Sequence, residues 1–114
     1  MELRSDNYDG AMLVTVLDNR IDSASAVAIK DEMRGLTNDG PDRVVVDMKK
    51  VEFVDSSGLG AIVAAMKQIG AERKLELAAL SPTVDKVFRL TRMDTVFTIH
   101  ADAGAAIGDL QPLN

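Results

Sequence analysis

The chain has 114 residues and a formal net charge of -5, with no cysteine and one histidine. Its length predicts one domain, residues 1–114, with a core built mainly from aliphatic side chains, since only 4% of residues are aromatic. The missing cysteines exclude disulfides, thiol nucleophiles and thiolate metal sites, and one histidine excludes a histidine cluster, so we expect neither metal nor cofactor.

The charge and the apolar segments also bear on possible partners. A pI near 4.7 without a basic patch argues against nucleic acid. The longest uncharged stretch, residues 56–66, is too short and too rich in glycine to cross a bilayer, and residues 1–4 lack the apolar core of a signal peptide. We therefore expect a cytoplasmic protein without a membrane partner.

The first third of the chain predicts a hairpin followed by a helix. Residues 3–8 and 12–17 form strands that pair antiparallel across an Asp9-Gly10 turn. A helix begins with Ser23 as its N-cap and ends near residues 38–41, which include a glycine and a proline. Its inner face comprises Ala26, Ile29, Met33 and Leu36.

The middle of the chain predicts a central strand at Val44–Val46. Its successive apolar residues indicate burial on both faces, as in a mixed sheet covered by helices. Later in the chain, Leu75, Leu77 and Ala79 indicate another strand. The sequence therefore predicts an α/β fold.

The last third predicts two helices and a strand. Ser81-Pro82 opens a helix as cap and first residue. The inner face of that helix comprises Val84, Val87, Phe88 and Thr91. Residues 96–99 form a final strand and residues 101–110 a final helix, and His100, between them, has no partner that the sequence identifies.

The most informative segment is Asp55-Ser56-Ser57-Gly58-Leu59-Gly60, which follows a short apolar approach containing Val51, Phe53 and Val54. After it, apolar residues recur at helical spacing: Leu59, Ile62, Val63, Met66 and Ile69. The hydroxyls therefore lie at a helix N-terminus, where one oxygen suffices as a cap. Most serines at such positions serve only as caps, but three polar side chains in a row exceed that need, so the pattern leaves open a cap alone or a functional segment.

Two other functional classes are less consistent with these residues. A response-regulator fold would have a phosphoacceptor aspartate at a strand end and a pair of acids after the first strong strand. Asp47 ends a strand, but no acidic pair follows the first strong strand. An enzyme would need a base beside Ser56 or Ser57, and none can be assigned. Gly58 and Gly60 lack the third glycine of a dinucleotide loop, and no Gly-Lys-Ser/Thr follows.

Three segments resemble one known family. Residues 55–60 resemble the phosphorylation-site signature of the STAS domains that act as bacterial anti-sigma factor antagonists. Residues 17–22 are similar to that family's Leu-x-Gly-x-Leu/Ile-Asp segment, and residues 80–88 to the segment that opens its third helix. The usual glycine of the upstream segment is Asn19 here, a residue that tolerates left-handed backbone better than most.

The resemblance implies a single STAS-like α/β domain with about five strands in a mixed sheet and about four helices. It also implies that an ATP-dependent anti-sigma factor serine kinase phosphorylates Ser56, with Ser57 as the second choice. The unmodified protein would bind this kinase and free the sigma factor, and a serine phosphatase would remove the phosphate from Ser56. Related STAS domains also serve in transport, lipid and stress-sensing complexes, so a non-transcriptional output stays open.

The surface that binds the kinase is predicted around the same helix. Its non-core side carries Gly60, Ala61, Ala64 and Ala65, with no charge before Lys67. Such a bare face is either buried against a neighbouring helix or reserved for a partner, and the resemblance favours a partner. The predicted contact residues are Asp22, Asp55, Ser57, Gly58, Leu59, Gly60, Ala61 and Ala64.

Elementary electrostatics predicts the direction of the switch. A phosphate adds roughly -1.5 to -2 charges and gains about 0.3 to 2 kcal/mol from a helix N-terminus. Repulsion between this phosphate and the Asp55 carboxylate costs about 2 kcal/mol. Desolvation of the phosphate at a docked interface costs several kcal/mol more. We therefore expect phosphorylation to release the partner.

Overall fold

A computed structural model describes residues 2–37, 40–69 and 73–113. The strands are β1 (Leu3–Tyr8), β2 (Ala11–Val16), β3 (Arg20–Ile21), β4 (Arg43–Asp47), β5 (Phe53–Val54), β6 (Lys74–Ala78) and β7 (Ile99–His100). The α-helices are α1 (Ser23–Thr37), α2 (Ser56–Gln68), α3 (Pro82–Leu90) and α4 (Ala103–Ile107), and a 3-10 turn spans Met93–Thr95.

The strands form one large sheet and one small one. The five-stranded sheet has the order β1-β2-β4-β6-β7. In it, β1 and β2 form the predicted antiparallel hairpin, with Gly10 at φ 84° in the turn, and the other neighbouring strands are parallel. The short strands β3 and β5 pair separately. The predicted α/β fold with a mixed five-stranded sheet and four helices is confirmed.

The large sheet is buried on both faces, as β4 shows. Val44 and Val46 belong to the main core, which includes buried residues of α1, α2 and α3. Val45 lies on the opposite face in a smaller cluster with Ala106 and Ile107 of α4. Apolar side chains at successive positions of β4 therefore meet two different layers, as the sequence predicted.

The start of α1 differs from the prediction by one residue. Asp22 is the N-cap, because its Oδ1 accepts a hydrogen bond from the backbone N–H of Ala24 at 3.1 Å. The N–H of Asp22 in turn donates to Oγ of Ser25 at 2.9 Å, a reciprocal arrangement like a capping box. Ser23, predicted as the cap, is the first helical residue. The predicted helix end includes residues 38 and 39, which lie outside the described residues.

The start of α3 confirms its prediction. Ser81 accepts a hydrogen bond from the N–H of Val84 at 3.4 Å, and Pro82 opens the helix. Val84 and Phe88 are buried. Thr91, expected on the inner face, is instead exposed just after the helix, where its hydroxyl donates to the carbonyl of Val87 at 2.8 Å.

The C-terminal elements are shorter than predicted. The N–H groups of Val96 and Phe97 both donate to the carbonyl of Met93, so these residues close the 3-10 turn and the strand begins only at Ile99. Asp102 caps α4 through Ala105 N at 2.7 Å, and Gly108 ends it at φ 58°. The predicted strand at 96–99 and helix at 101–110 were therefore wrong in their bounds.

Candidate functional site

The N-terminus of α2 presents two serines that its cap does not use. Oδ1 of Asp55 accepts a hydrogen bond from the N–H of Gly58 at 2.8 Å, and Asp55 has the extended backbone of an N-cap. Ser56 and Ser57 are both exposed, and neither hydroxyl bonds to another described residue. Capping therefore explains the acid of this segment and leaves both hydroxyls available to a partner.

Gly58 fixes this helix end against β3. It is buried, and a Cβ built on it would lie 2.0 Å from the carbonyl oxygen of Ile21. That oxygen also accepts a hydrogen bond from the N–H of Asp55 at 3.3 Å. The glycine is required here because no side chain fits between the helix and the strand.

The loop that contains Asp22 lies beside the helix start. The β3–β5 register pairs Arg20 with Phe53 and Ile21 with Val54, which places this loop next to the segment leading into α2. The Arg20 guanidinium carbon lies 4.5 Å from the centroid of the Phe53 ring, a cation–π geometry. The structure thus brings Asp22 and Asp55 to one end of the molecule, as the resemblance implied.

Asp22 is held by several hydrogen bonds. Its Oδ2 accepts from Nε of Arg20 at 3.3 Å. That bond is the main reason why the pKa of Asp22 is lowered, and bonds from Ala24 and Ser25 act in the same direction against the effect of desolvation. The side chain is therefore a carboxylate at neutral pH, oriented beside the groove that Asp18, Asn19 and Ser25 also line.

Asn19 does not adopt the left-handed backbone for which its tolerance was noted. The non-glycine residues with positive φ in the described ranges are Ala79 and Arg92. The carbonyl of Asn19 accepts a hydrogen bond from the N–H of Glu52 at 2.7 Å, which ties the loop to the β5 approach. The missing glycine therefore leaves the loop geometry unstrained at this position.

The predicted partner face of α2 is only partly at the surface. Gly60 is exposed, and Leu59 and Ala64 are half-buried. Ala61 and Ala65 are each 3% exposed, so placing them on the non-core side was wrong. The physical reason is that α2 packs closely on α1, with Ala65 beside Ile29 and Met33. The described surface around the motif is thus the two serines, Gly60 and the edge of Ala64.

A buried ionic cluster on the other face of the sheet was missed. Glu76 of β6 is 5% exposed, and Arg43 binds it through Nε at 2.6 Å and Nη2 at 2.9 Å. The same Nη2 donates to the carbonyl of Ala106 at 2.9 Å. Nε2 of His100 lies 2.6 Å from Oε1 of Glu76, so the prediction that His100 has no partner was wrong.

The cluster links strands β4, β6 and β7 with α4. The Arg43 hydrogen bond is the main cause that lowers the pKa of Glu76, with His100 adding to it against desolvation, and Glu76 likewise raises the pKa of Arg43. One sequence signal was present, a single acid between Leu75 and Leu77 in an apolar strand. The partners lie 33 and 24 residues away, and no local pattern identifies them.

Two further features of the described residues concern ligands and membranes. Within residues 2–37, 40–69 and 73–113, no group of three His, Cys, Asp or Glu side chains could hold a metal ion. Among the helices described there, none is both long enough and apolar enough to cross a membrane.

Comparison with known proteins identifies the family. A family model described as the STAS domain matches residues 3–106. The chain belongs to the STAS domain family. A protein of Bordetella bronchiseptica named "Putative anti-sigma factor antagonist BtrV" is 30% identical over 107 residues, which cover 93% of this chain and 91% of that protein.

Solved STAS structures have the same fold. The crystal structure of an anti-sigma factor antagonist from Mycobacterium paratuberculosis has a TM-score of 0.82 at 26% identity, and the match covers 93% of this chain and 90% of that one. The anti-sigma factor antagonist SpoIIAA in its unphosphorylated form has a TM-score of 0.75 at 20% identity, with 93% of both chains covered. Relatives and structural neighbours of this STAS domain thus include anti-sigma factor antagonists.

Proposed function

We propose that this STAS domain is an anti-sigma factor antagonist controlled by phosphorylation of Ser56. In its unmodified form it binds an anti-sigma factor serine kinase and thereby frees a sigma factor. The kinase uses ATP to phosphorylate Ser56, and a serine phosphatase restores the binding form. The names of its relatives support the class of function, and the proposal places the whole cycle in the cytoplasm.

The observation that carries the proposal is the division of roles at the start of α2. Asp55 alone caps the helix, so Ser56 and Ser57 are exposed and their hydroxyls are not used by the cap. A phosphoryl donor approaching in line needs such access, while the kinase supplies the magnesium ion and the charge stabilisation. Ser56 is the first choice because it directly follows the capping acid, and Ser57 is the second.

The local charges support release of the partner on phosphorylation. Asp55 already places a carboxylate at the positive end of the helix dipole. A phosphate on the next residue would be repelled by that carboxylate, because both groups are negative. Two unit charges about 4 Å apart repel by about 1 kcal/mol even in water. At a docked interface the repulsion and the desolvation cost both rise, so the modified form binds weakly.

The partner surface comprises Asp22, Asp55, Ser57, Leu59, Gly60 and Ala64 in this proposal. Gly58 and Ala61 are buried and lie beneath this surface. In the proposal they hold the helix against β3 and α1. We further propose that the domain is a substrate and binding module and not an enzyme. Its one histidine is bonded to Glu76 on β6 rather than to a motif serine.

The test compares variants at two neighbouring serines in the native cells. Tagged Ser56→Ala and Ser56→Asp proteins serve as baits, and Ser57→Ala and Ser57→Asp are the position-matched controls. We expect Ser56→Ala to capture a protein with an ATP-binding kinase domain and Ser56→Asp to lose it by roughly a hundredfold in affinity, or about 3 kcal/mol. Mass spectrometry of the wild-type protein should find phosphate on Ser56.

Different results would overturn different parts of the proposal. Equal capture of the kinase by both Ser56 variants would reject the switch. Phosphate on Ser57, together with kinase capture by Ser57→Ala but not by Ser57→Asp, would make Ser57 the acceptor instead of Ser56. Recovery of neither phosphate nor kinase, with a transporter or lipid-transport component instead, would reject the sigma-factor function and favour a non-transcriptional output.

A further inference from the structure

A groove opens at the edge of the large sheet beside the first half of β6. Strand β7 pairs only with Leu77 and Ala78, so residues 74–76 have no strand on that side in the described chain. The space left has a volume of about 210 Å³. Its walls are formed by Met66, Arg73, Lys74, Leu75, Glu76, Val96 and Thr98.

The backbone of Leu75 points its polar groups into this groove. The N–H of Leu77 donates to Thr98 on the β7 side at 2.9 Å, whereas the N–H of Lys74 donates to Asp42 on the β4 side at 2.8 Å. Successive residues of a strand direct their N–H and C=O groups to alternate sides. Leu75 therefore faces the same side as Leu77, where β7 does not reach, and its N–H and C=O have no strand partner among the described residues.

The groove also concentrates positive charge in an acidic protein. Nε of Arg73 donates to the carbonyl of Pro41 at 2.9 Å, which fixes the guanidinium, and its buried Nη2 has no hydrogen-bond partner among the described residues. Lys74 is exposed and forms no ion pair with any residue that the structure describes. Glu76 also lines the groove, but Arg43 engages both of its carboxylate oxygens.

We propose that this groove binds a small organic carboxylate that carries a neighbouring N–H or O–H donor and a short apolar group. Arg73, Lys74 and the N–H of Leu75 would take the carboxylate, and the carbonyl of Leu75 would take the donor. Met66, Val96 and the Leu75 side chain form an apolar wall. An engineered cavity of about 150 Å³ already holds benzene, so the space suffices for such a molecule. The site is separate from Ser56.

The test uses two ligands that differ in one terminal group, a carboxylate or a neutral amide. N-acetylleucine has the carboxylate, the N–H and an isobutyl group, and N-acetylleucinamide replaces the carboxylate by a neutral amide. We expect N-acetylleucine, followed by 15N-resolved NMR, to produce saturable shifts at Lys74, Leu75 and Thr98. The amide should bind at least tenfold more weakly, since it carries no negative charge to pair with Arg73 and Lys74.

Two lysine variants show whether the binding is local. Lys74→Gln should weaken N-acetylleucine binding by roughly tenfold. Lys86→Gln removes an equal charge from the exposed side of α3 and should leave the affinity within about twofold. Both variants should keep the wild-type NMR dispersion, since both lysines are exposed. Non-saturable shifts, equal binding of the two ligands, or equal loss in both variants would overturn the proposal, and none of these results bears on the Ser56 switch.

Discussion

Gly58 and Ile21 approach each other so closely that a Cβ on Gly58 would lie 2.0 Å from the Ile21 carbonyl oxygen and 2.6 Å from its carbonyl carbon. Both obstructing atoms belong to the backbone, so no side-chain rotation can relieve the overlap. The position of the motif serines relative to the Asp22 loop therefore depends on the absence of a side chain at residue 58.

Gly58→Ala should destabilise the protein by at least about 2 kcal/mol, because α2 must move away from β3 to admit the methyl group. Gly60→Ala is the matched control, since nothing lies within 4 Å of the Cβ that would be added there. Alanine in a helix is favoured over glycine, so Gly60→Ala should raise the free energy of unfolding by about 0.5 to 1 kcal/mol. Urea denaturation measures both, and a neutral Gly58→Ala would contradict the close packing.

Asp55 should contribute to folding as a cap and to the switch as a charge. Asp55→Ala removes the acceptor for the Gly58 N–H and should cost about 0.5 to 2 kcal/mol of stability. Asp55→Asn keeps an oxygen at that position and should cost much less. Urea denaturation of the two variants side by side measures the difference.

Asp55→Asn also separates the two roles in partner binding. With the neighbouring carboxylate gone, the loss of kinase binding caused by Ser56→Asp should become smaller, because the repulsion between residues 55 and 56 is removed. A double-mutant cycle on the captured kinase measures this coupling. Strict additivity of the two changes would show that Asp55 takes no part in release.

The stabilisation that Glu76 contributes to the folded protein should be lost in acid. Its pKa in the folded protein lies below the ordinary value of 4.5, mainly because of the hydrogen bond from Arg43. A lowered folded pKa means that the unfolded state binds protons more tightly, so this contribution is complete above about pH 4.5 and is lost as the pH falls through the folded pKa. The free energy of unfolding, followed from pH 7 to pH 3, should decrease in that window.

Variants assign that loss to Glu76. Glu76→Gln leaves Arg43 without its ionic partner and should lower stability at pH 7 by about 1 to 3 kcal/mol. It should also give a shallower acid slope than the wild type. Glu52→Gln removes an exposed acid and should keep the wild-type slope. Parallel pH profiles for Glu76→Gln and the wild type would show that other acids cause the loss.

Local signals in the sequence were sufficient for much of the fold. Val44–Val46 revealed a strand buried on both faces because side-chain burial in a strand follows directly from which residues are apolar. Ser81-Pro82 revealed the start of α3 because a cap and a first-turn proline act within one turn. The motif serines were correctly placed at a helix start because the cap and the apolar residues that follow at helical spacing are also local signals.

Contacts between distant segments were not predictable in this way. Alanine is compatible with either face of a helix, so Ala61 and Ala65 gave no sign that α1 covers them. The role of Gly58 depends on a carbonyl of β3, and the partner of His100 lies in another strand. Each of these requires the tertiary arrangement, whereas the position of the two serines at a helix start was predictable from the segment itself.

Two variants of Asp22 should separate its structural role from its role in binding. Its Oδ1 caps α1 through Ala24, and its Oδ2 pairs with Arg20. Asp22→Asn retains an N-cap oxygen but loses the charge, whereas Asp22→Ala loses both. In urea denaturation, Asp22→Asn should therefore resemble the wild type and Asp22→Ala should be less stable, because an exposed ion pair contributes little.

Partner capture then decides what the charge does. In a Ser56→Ala background, which the proposed switch would keep in the binding form, a carboxylate that contacts the kinase directly would make Asp22→Asn and Asp22→Ala equally poor baits. If Asp22 acts only by shaping the loop, Asp22→Asn should capture the kinase as well as the parent does, and only Asp22→Ala should fail. We expect the first result, because the pairing with Arg20 keeps this carboxylate ionised at the same end of the molecule as the motif serines.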